Sequence, residues 1–312
     1  MDVQEARHDA LELPVRCGRA AVAWRARRLG STLSAMSEET RTYPEGVPCW
    51  IDTDQPDPEA AVEFYGQLFG WTFRDEGAVP GAYQVATIDT REVAAIRFEA
   101  SGPVAWNTYI AVDDAEAAVA RVTEFGGEVA SPPEDLVTDG RRATCVDPLG
   151  TPFRLWEAGA ISGAQLVNAP GAWNFSHLHC ADAPAAREFY ERVFGWEALE
   201  LGPEAVMWRR PGYGDHLEAT VDPGIRARQA DVKAPPGFED VIAGLDRPST
   251  GETAPRWHVV FAVPDRDAAA ATAKRLGATI VSSRDTGWTR EAAVRDPAGA
   301  EFTLSQFTPP SG

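Results

Sequence analysis

The fold class expected from the sequence is α+β: four βαβββ modules, paired into two domains whose curved mixed sheets each surround a cleft. Three observations lead there. The stretch EFYGQLFGW at 63–71 returns as EFYERVFGW at 188–196, and a match of that length marks an internal duplication. The strands WNTYIAV (106–112) and WHVVFAV (257–263) are a second matching pair. A third pair, DPLGTPFRLW (147–156) and DPAGAEFTLS (296–305), joins a turn to a strand, because Asp-Pro-x-Gly supplies an acceptor, a fixed φ and a permissive last residue. The order of these pairs is A-B-A-B.

Helix limits follow from local signals. Asp57-Pro58 opens the first helix and Gly70 ends it, with Val62, Tyr65, Leu68 and Phe69 at helical spacing. Asp182 to Gly195 repeats the pattern with Phe189, Tyr190, Val193 and Phe194. The B helices run from Asp114 to Gly126 and from Asp265 to Gly277. In the first unit AYQVATID and EVAAIRF have strand composition, and in the third HLEATV (216–221) is expected to be the closing strand. A single module leaves one apolar sheet face bare, so A packs on B and the pair encloses a ligand cleft.

At 312 residues the chain has room for two cores. Its net charge of −18 and the absence of a Lys/Arg run exclude a nucleic-acid partner. Cys17, Cys49, Cys145 and Cys180 are dispersed and suit a cytoplasmic location rather than a disulfide or zinc framework. No apolar run reaches the roughly 20 residues of a membrane span. Residues 1–44 have the composition of a disordered leader, with Met36 as a candidate native start. The expected boundaries are domain 1 at 45–160, a linker at 161–170, domain 2 at 171–308 and a short tail at 309–312. Within domain 2 the long A-to-B connection, about 222–255, carries Phe238, Val241, Ile242 and Leu245 at helical spacing, and is expected to form a flap over the cleft. Four modules in one chain suit a monomer or a homodimer.

The paired modules, with D-P-x-x-A-x-x-F-Y-x-x-x-F-G-W in one and D-P-x-G-x-x-F-x-L-W in the other, resemble the vicinal oxygen chelate superfamily, which includes glyoxalase I, bleomycin resistance proteins and extradiol dioxygenases. The double length is similar to actinobacterial tandem glyoxalase-like proteins often labelled hydroxylases. The resemblance covers about 46–308. It implies two glyoxalase-like domains, and metal ligands (His, Gln or Glu) near the start of each first strand and on the closing strand.

Counting seven residues back from each helix-capping acid gives Trp50, Asn107, Phe175 and His258, and seven forward from each Asp-Pro turn gives Arg154 and Thr303. Trp50 and Arg154 cannot ligate a cation, which leaves domain 1 metal-free, with Trp50, Asp52, Asn107 and Arg154 as cleft residues and Asp52–Arg154 as a candidate buried ion pair. In WNFSHLHC (173–180), period two puts Trp173, Phe175, His177 and His179 on one face. With His258 opposite, and His216 and Glu218 on the expected strand, domain 2 gathers imidazoles and a carboxylate. These suit histidine acid/base chemistry, or a divalent transition metal on His177, His258 and Glu218. His177, His258 and Glu218 are therefore the catalytic candidates, and Trp173, Phe175, His179, His216 and Thr303 the substrate-binding ones. Two functions remain open: an enzyme acting on an aromatic or oxygenated metabolite, or a drug-sequestering protein without turnover.

Overall fold

The structure, a computed structural model, describes residues 40–76, 79–136, 139–201, 206–247 and 254–309. The leader up to residue 39, the Met36 start, part of the expected flap and the last residues of the tail lie outside them. Residues 41–43, by contrast, are fastened to the fold: the Arg41 amide donates to Gln165 Oε1 and Tyr43 OH to the Ala164 carbonyl. The anchoring tyrosine thus corrects the leader reading for 40–44.

The first module is β1 (Pro48–Gln55), α1 (Pro58–Phe69), β2 (Thr72–Asp75), β3 (Tyr83–Ile88) and β4 (Arg91–Phe98), and the second is β5 (Trp106–Val112), α2 (Ala115–Glu124), β6 (Glu128–Asp135), β7 (Gly140–Val146) and β8 (Pro152–Ala158). The third comprises β9 (Trp173–His179), α3 (Ala183–Phe194), β10 (Glu197–Glu200), β11 (Val206–Arg209), α4 (Tyr213–Ala219), α5 (Ile225–Asp231) and β12 (Val241–Asp246). The fourth is β13 (Arg256–Ala262), α6 (Arg266–Arg275), β14 (Thr279–Asp285), β15 (Thr289–Arg295) and β16 (Glu301–Phe307). Modules one and two make an eight-stranded open sheet in the order β2-β3-β4-β1-β5-β8-β7-β6; modules three and four repeat it as β10-β11-β12-β9-β13-β16-β15-β14. At the middle of each, the two first strands run antiparallel, flanked by parallel partners.

Asp57, Asp114, Asp182 and Asp265 all cap their helices by accepting the amide three residues on. Two readings are corrected. HLEATV belongs mainly to helix α4 and the turn after it, and the strand that closes the third module is β12, which lies inside the expected flap. Val241, Ile242 and Leu245 are buried in that strand rather than on one face of a helix.

The repeated aromatics lock one sheet to the other. Tyr65 on α1 donates its hydroxyl to Asp296 Oδ2 at 2.8 Å in the last Asp-Pro turn, and accepts from Trp106 Nε1 at 3.1 Å. Tyr190 on α3 does the same with Asp147 at 3.2 Å and Trp257 at 3.1 Å. Trp71 Nε1 reaches the Gly171 carbonyl at 2.8 Å, and Trp196 Nε1 the Gly46 carbonyl at 2.6 Å. Around these bonds, Phe69 meets Phe261 at 4.7 Å and Phe153 meets Phe189 at 6.1 Å. Helix α1 thus packs on the fourth module and α3 on the second. Tyr65→Phe leaves the buried Trp106 N–H without its acceptor and Asp296 short of a donor, so we expect a loss of about 1.5–3 kcal/mol, read as a lower urea midpoint at unchanged slope.

Candidate functional site

On β1 the residues that alternate onto one face are Trp50, Asp52 and Asp54, and β5 and β8 bring Asn107, Tyr109 and Arg154 beside them. Arg154 Nη1 donates to both Asp52 oxygens (2.7 and 2.9 Å) and to Tyr109 OH (2.7 Å), while Nη2 donates to Asp54 Oδ2 (2.9 Å). Arg97 on β4 donates to the other Asp54 oxygen at 2.7 Å, and Asn107 Nδ2 to Asp52 Oδ1 at 2.9 Å. Asp52 is fully buried. Two carboxylates therefore face two guanidinium groups, a neutral and mutually satisfied quartet. Trp50 closes one side, donating to Tyr83 OH at 2.9 Å. Sequence reasoning found Asp52 and Arg154 but not Asp54, Arg97 or Tyr109.

The second sheet has the same frame and different chemistry. His177 and His258 are direct cross-strand partners on β9 and β13. His177 Nδ1 lies 2.9 Å from Asp246 Oδ2, and His179 Nε2 3.8 Å from the same oxygen. The His179 and His258 rings stack at 4.9 Å, and His258 Nε2 shares a hydrogen with Thr303 Oγ1 at 2.9 Å. Phe175 presents its ring 6.4 Å from that of His177.

Asp246 and Gly244 on β12 were missed by sequence reasoning. In register, Gly244 and Asp246 occupy the places of Ala95 and Arg97 in the first sheet, so aligning EVAAIRF with VIAGLD would have found them. Gly244 lies opposite His177, and a Cβ there would come within 2.5 Å of the imidazole Nδ1. The missing side chain is the seat of the ring.

Electrostatics set the roles. Burial opposes charge on Asp246, yet the hydrogen bond and charge of His177, with His179 and Arg284 nearby, hold its carboxyl well below the usual range. As a carboxylate it accepts from His177 Nδ1–H, which fixes the orientation of the ring. Burial, reinforced by His179, Arg256 and His177 and opposed by Asp246, pushes His258 well below 6.5, so this imidazole is neutral. Its Nδ1 is buried and has no partner among the described residues. In the unfolded chain an imidazole titrates near 6.5. Below that pH the unfolded state binds the extra proton first, so stability is lost as pH falls through about 6.5 toward the folded value. His258→Gln has no such proton to gain, and its melting temperature should fall less between pH 7.5 and 5.5 than that of the wild type.

Three other candidates lie apart from this constellation. Glu218 is on α4, ion-paired with Arg226, and His216 on the same helix meets the Thr42 carbonyl at 3.1 Å. The helical turn, not a strand, carries both outward. Trp173 is buried in the hydrophobic core, because a bulge opposite Val260 and Phe261 breaks the period-two alternation at that end of β9. His177, His258 and Glu218 hence do not converge. Among the described residues no three His, Cys, Asp or Glu side chains are placed to hold a metal. One nitrogen of His177 is spent on Asp246 and one of His258 on Thr303, and no third ligating side chain among the described residues completes a set with them, so the residues do not fit a divalent ion.

Two open eight-stranded sheets, each made of paired βαβββ modules with a polar cluster on its two central strands, define a tandem protein of the vicinal oxygen chelate superfamily. A model of the glyoxalase-like domain matches residues 50–156 and again 176–305. CFP32 of Mycobacterium tuberculosis is 34% identical over 279 residues, covering 86% of this chain and 97% of its own. The anthracycline biosynthesis protein DnrV of Streptomyces peucetius is 32% identical over 288 residues, covering 86% and 95%. Among solved structures, the Mn(II)-bound glyoxalase from Novosphingobium aromaticivorans superposes with a TM-score of 0.56 at 15% identity, over 84% of this chain and 82% of that one. The chain belongs to the glyoxalase-like domain family and carries the domain twice. Among the described residues no helix is long and apolar enough to cross a membrane.

Proposed function

We propose that the second cleft binds a small oxygenated compound, aromatic in its larger part, and moves a proton to or from it through histidine without a resident metal. His177 Nε2 is the base, Asp246 fixes its tautomer, and Thr303, positioned by His258, meets an oxygen of the ligand. Phe175 offers a ring to stack on. The observation that carries this reading is the 2.9 Å His177–Asp246 bond directly across the strand pair from a neutral, buried His258. The name of DnrV, which refers to the biosynthesis of an aromatic class, supports the choice of compound. In the first cleft Trp50, Asp52, Asn107 and Arg154 act as a scaffold, since their polar groups satisfy one another.

The test is to incubate wild type and His177→Asn with hydroxylated aromatic ketones and follow each compound by mass spectrometry, with binding measured in parallel. Consumption by the wild type, lost in the variant while binding persists, is the expected result. Binding without consumption by either protein would instead establish sequestration, the reading favoured by the net charge of −18 and the half-buried Phe175.

A further inference from the structure

Strand β16 links the histidine cluster to an aromatic surface on the same sheet face. Its outward residues are settled by their partners: Phe302 and Leu304 are fully buried in the core, and Gln306 accepts from the Arg266 amide of α6. Alternation therefore puts Thr303, Ser305 and Phe307 on the opposite face, the one that carries His258. Thr303 holds His258. Four residues on, Phe307 is 58% exposed and stacks on Trp288, itself 38% exposed, with ring centroids 6.2 Å apart and planes 22° from parallel. Trp288 is fixed in the β14–β15 turn, where its carbonyl accepts from the Thr308 amide at 2.7 Å. Between the two ends, Arg284 pairs with Glu291 at 2.6 Å, and its charge is felt at Asp246.

Among the described residues the first sheet lacks this surface. Its chain turns back after β8, with the Gly159 and Ile161 amides donating to the Asp139 carbonyl and Trp156 Nε1 to the Ile161 carbonyl at 2.9 Å. The linker thus covers the place that corresponds to Trp288 and Phe307, whereas in the second sheet two large aromatic rings stay exposed on the face that carries the histidines, where burial against a ligand is the gain left open to them.

We propose that Trp288 and Phe307 form the outer wall of the second cleft, and that the ligand is a planar, fused polycyclic aromatic carrying hydroxyl or carbonyl groups. The wall rests on the reading of the second cleft as the ligand site. From Thr303 to Phe307 the strand covers about 13 Å. A single ring cannot reach both the imidazoles and the aromatic wall; a fused polycycle can, with its oxygen substituents facing Arg284, Glu291 and the histidines along the way.

Equilibrium dialysis of the full chain with 1,4-dihydroxyanthraquinone, and with catechol as a one-ring comparator, tests this. Trp288→Ala and Phe307→Ala should each raise the anthraquinone Kd about tenfold and leave catechol binding within twofold. Both melting temperatures should stay near wild type, because the side chains are exposed. His177→Asn should leave anthraquinone binding measurable, with a smaller rise in Kd than either aromatic variant gives. An anthraquinone Kd unchanged in both aromatic variants, or no anthraquinone binding by the wild type, overturns the proposal. A tenfold loss in the aromatic variants combined with turnover that survives His177→Asn would keep the wall and remove the proposed acid/base role.

Discussion

Arg154→Met should cost about 3–5 kcal/mol of stability, the largest effect expected of a single substitution in this protein. The methionine fills most of the vacated volume, so packing is not what is lost. What remains is Asp52, fully buried, with only Asn107 and Tyr109 as partners, and Asp54 with Arg97 alone. An uncompensated buried carboxylate either stays charged at a high desolvation cost or takes up a proton. The double variant Asp52→Asn/Arg154→Met removes the charge together with its partner, and should recover much of the loss. A double-mutant cycle by urea unfolding measures the coupling; additive effects in that cycle would show that the two side chains do not depend on each other.

Asp246→Asn should lower turnover by about 10²–10⁴-fold with little change in ligand affinity. An amide in place of the carboxylate can present an N–H to His177 Nδ1, which stabilises the tautomer with the proton on Nε2 and removes the base. Steady-state kinetics separate this outcome from a binding defect: kcat falls and KM stays close to its original value. A change confined to KM would mark Asp246 as a ligand contact instead.

Much of the fold was legible because its signals are local and doubled. Each capping aspartate, each closing glycine and both Asp-Pro turns act within a few residues of chain, and the second copy confirms the first. The misread segment was the one place where the copies differ. Where the first module joins β3 to β4 by a tight turn at Asp89 and Thr90, the third inserts α4 and α5 before β12. HLEATV has strand composition, but Gly212 starts a helix, and VIAGLD is a six-residue buried strand whose apolar spacing also suits a helix. At the site, residue types on first strands were readable from spacing alone. Asp246 was not, because its meaning depends on β12 lying beside β9, a pairing that joins residues 69 apart in the chain.

The crossed tyrosines have an evolutionary consequence. Tyr65 and Asp296 are 231 positions apart, so the first module completes its interior with the last. Neither half owns a whole interior: cut between them, each would expose the aromatic face that the other covers, and would be prone to aggregate. Folding must wait for contacts of very long sequence separation, which is a slow route. The duplication therefore binds two clefts to a shared fate. A half whose buried polar groups are tied up in an ion-pair quartet cannot be discarded, because the other half needs its aromatic face covered.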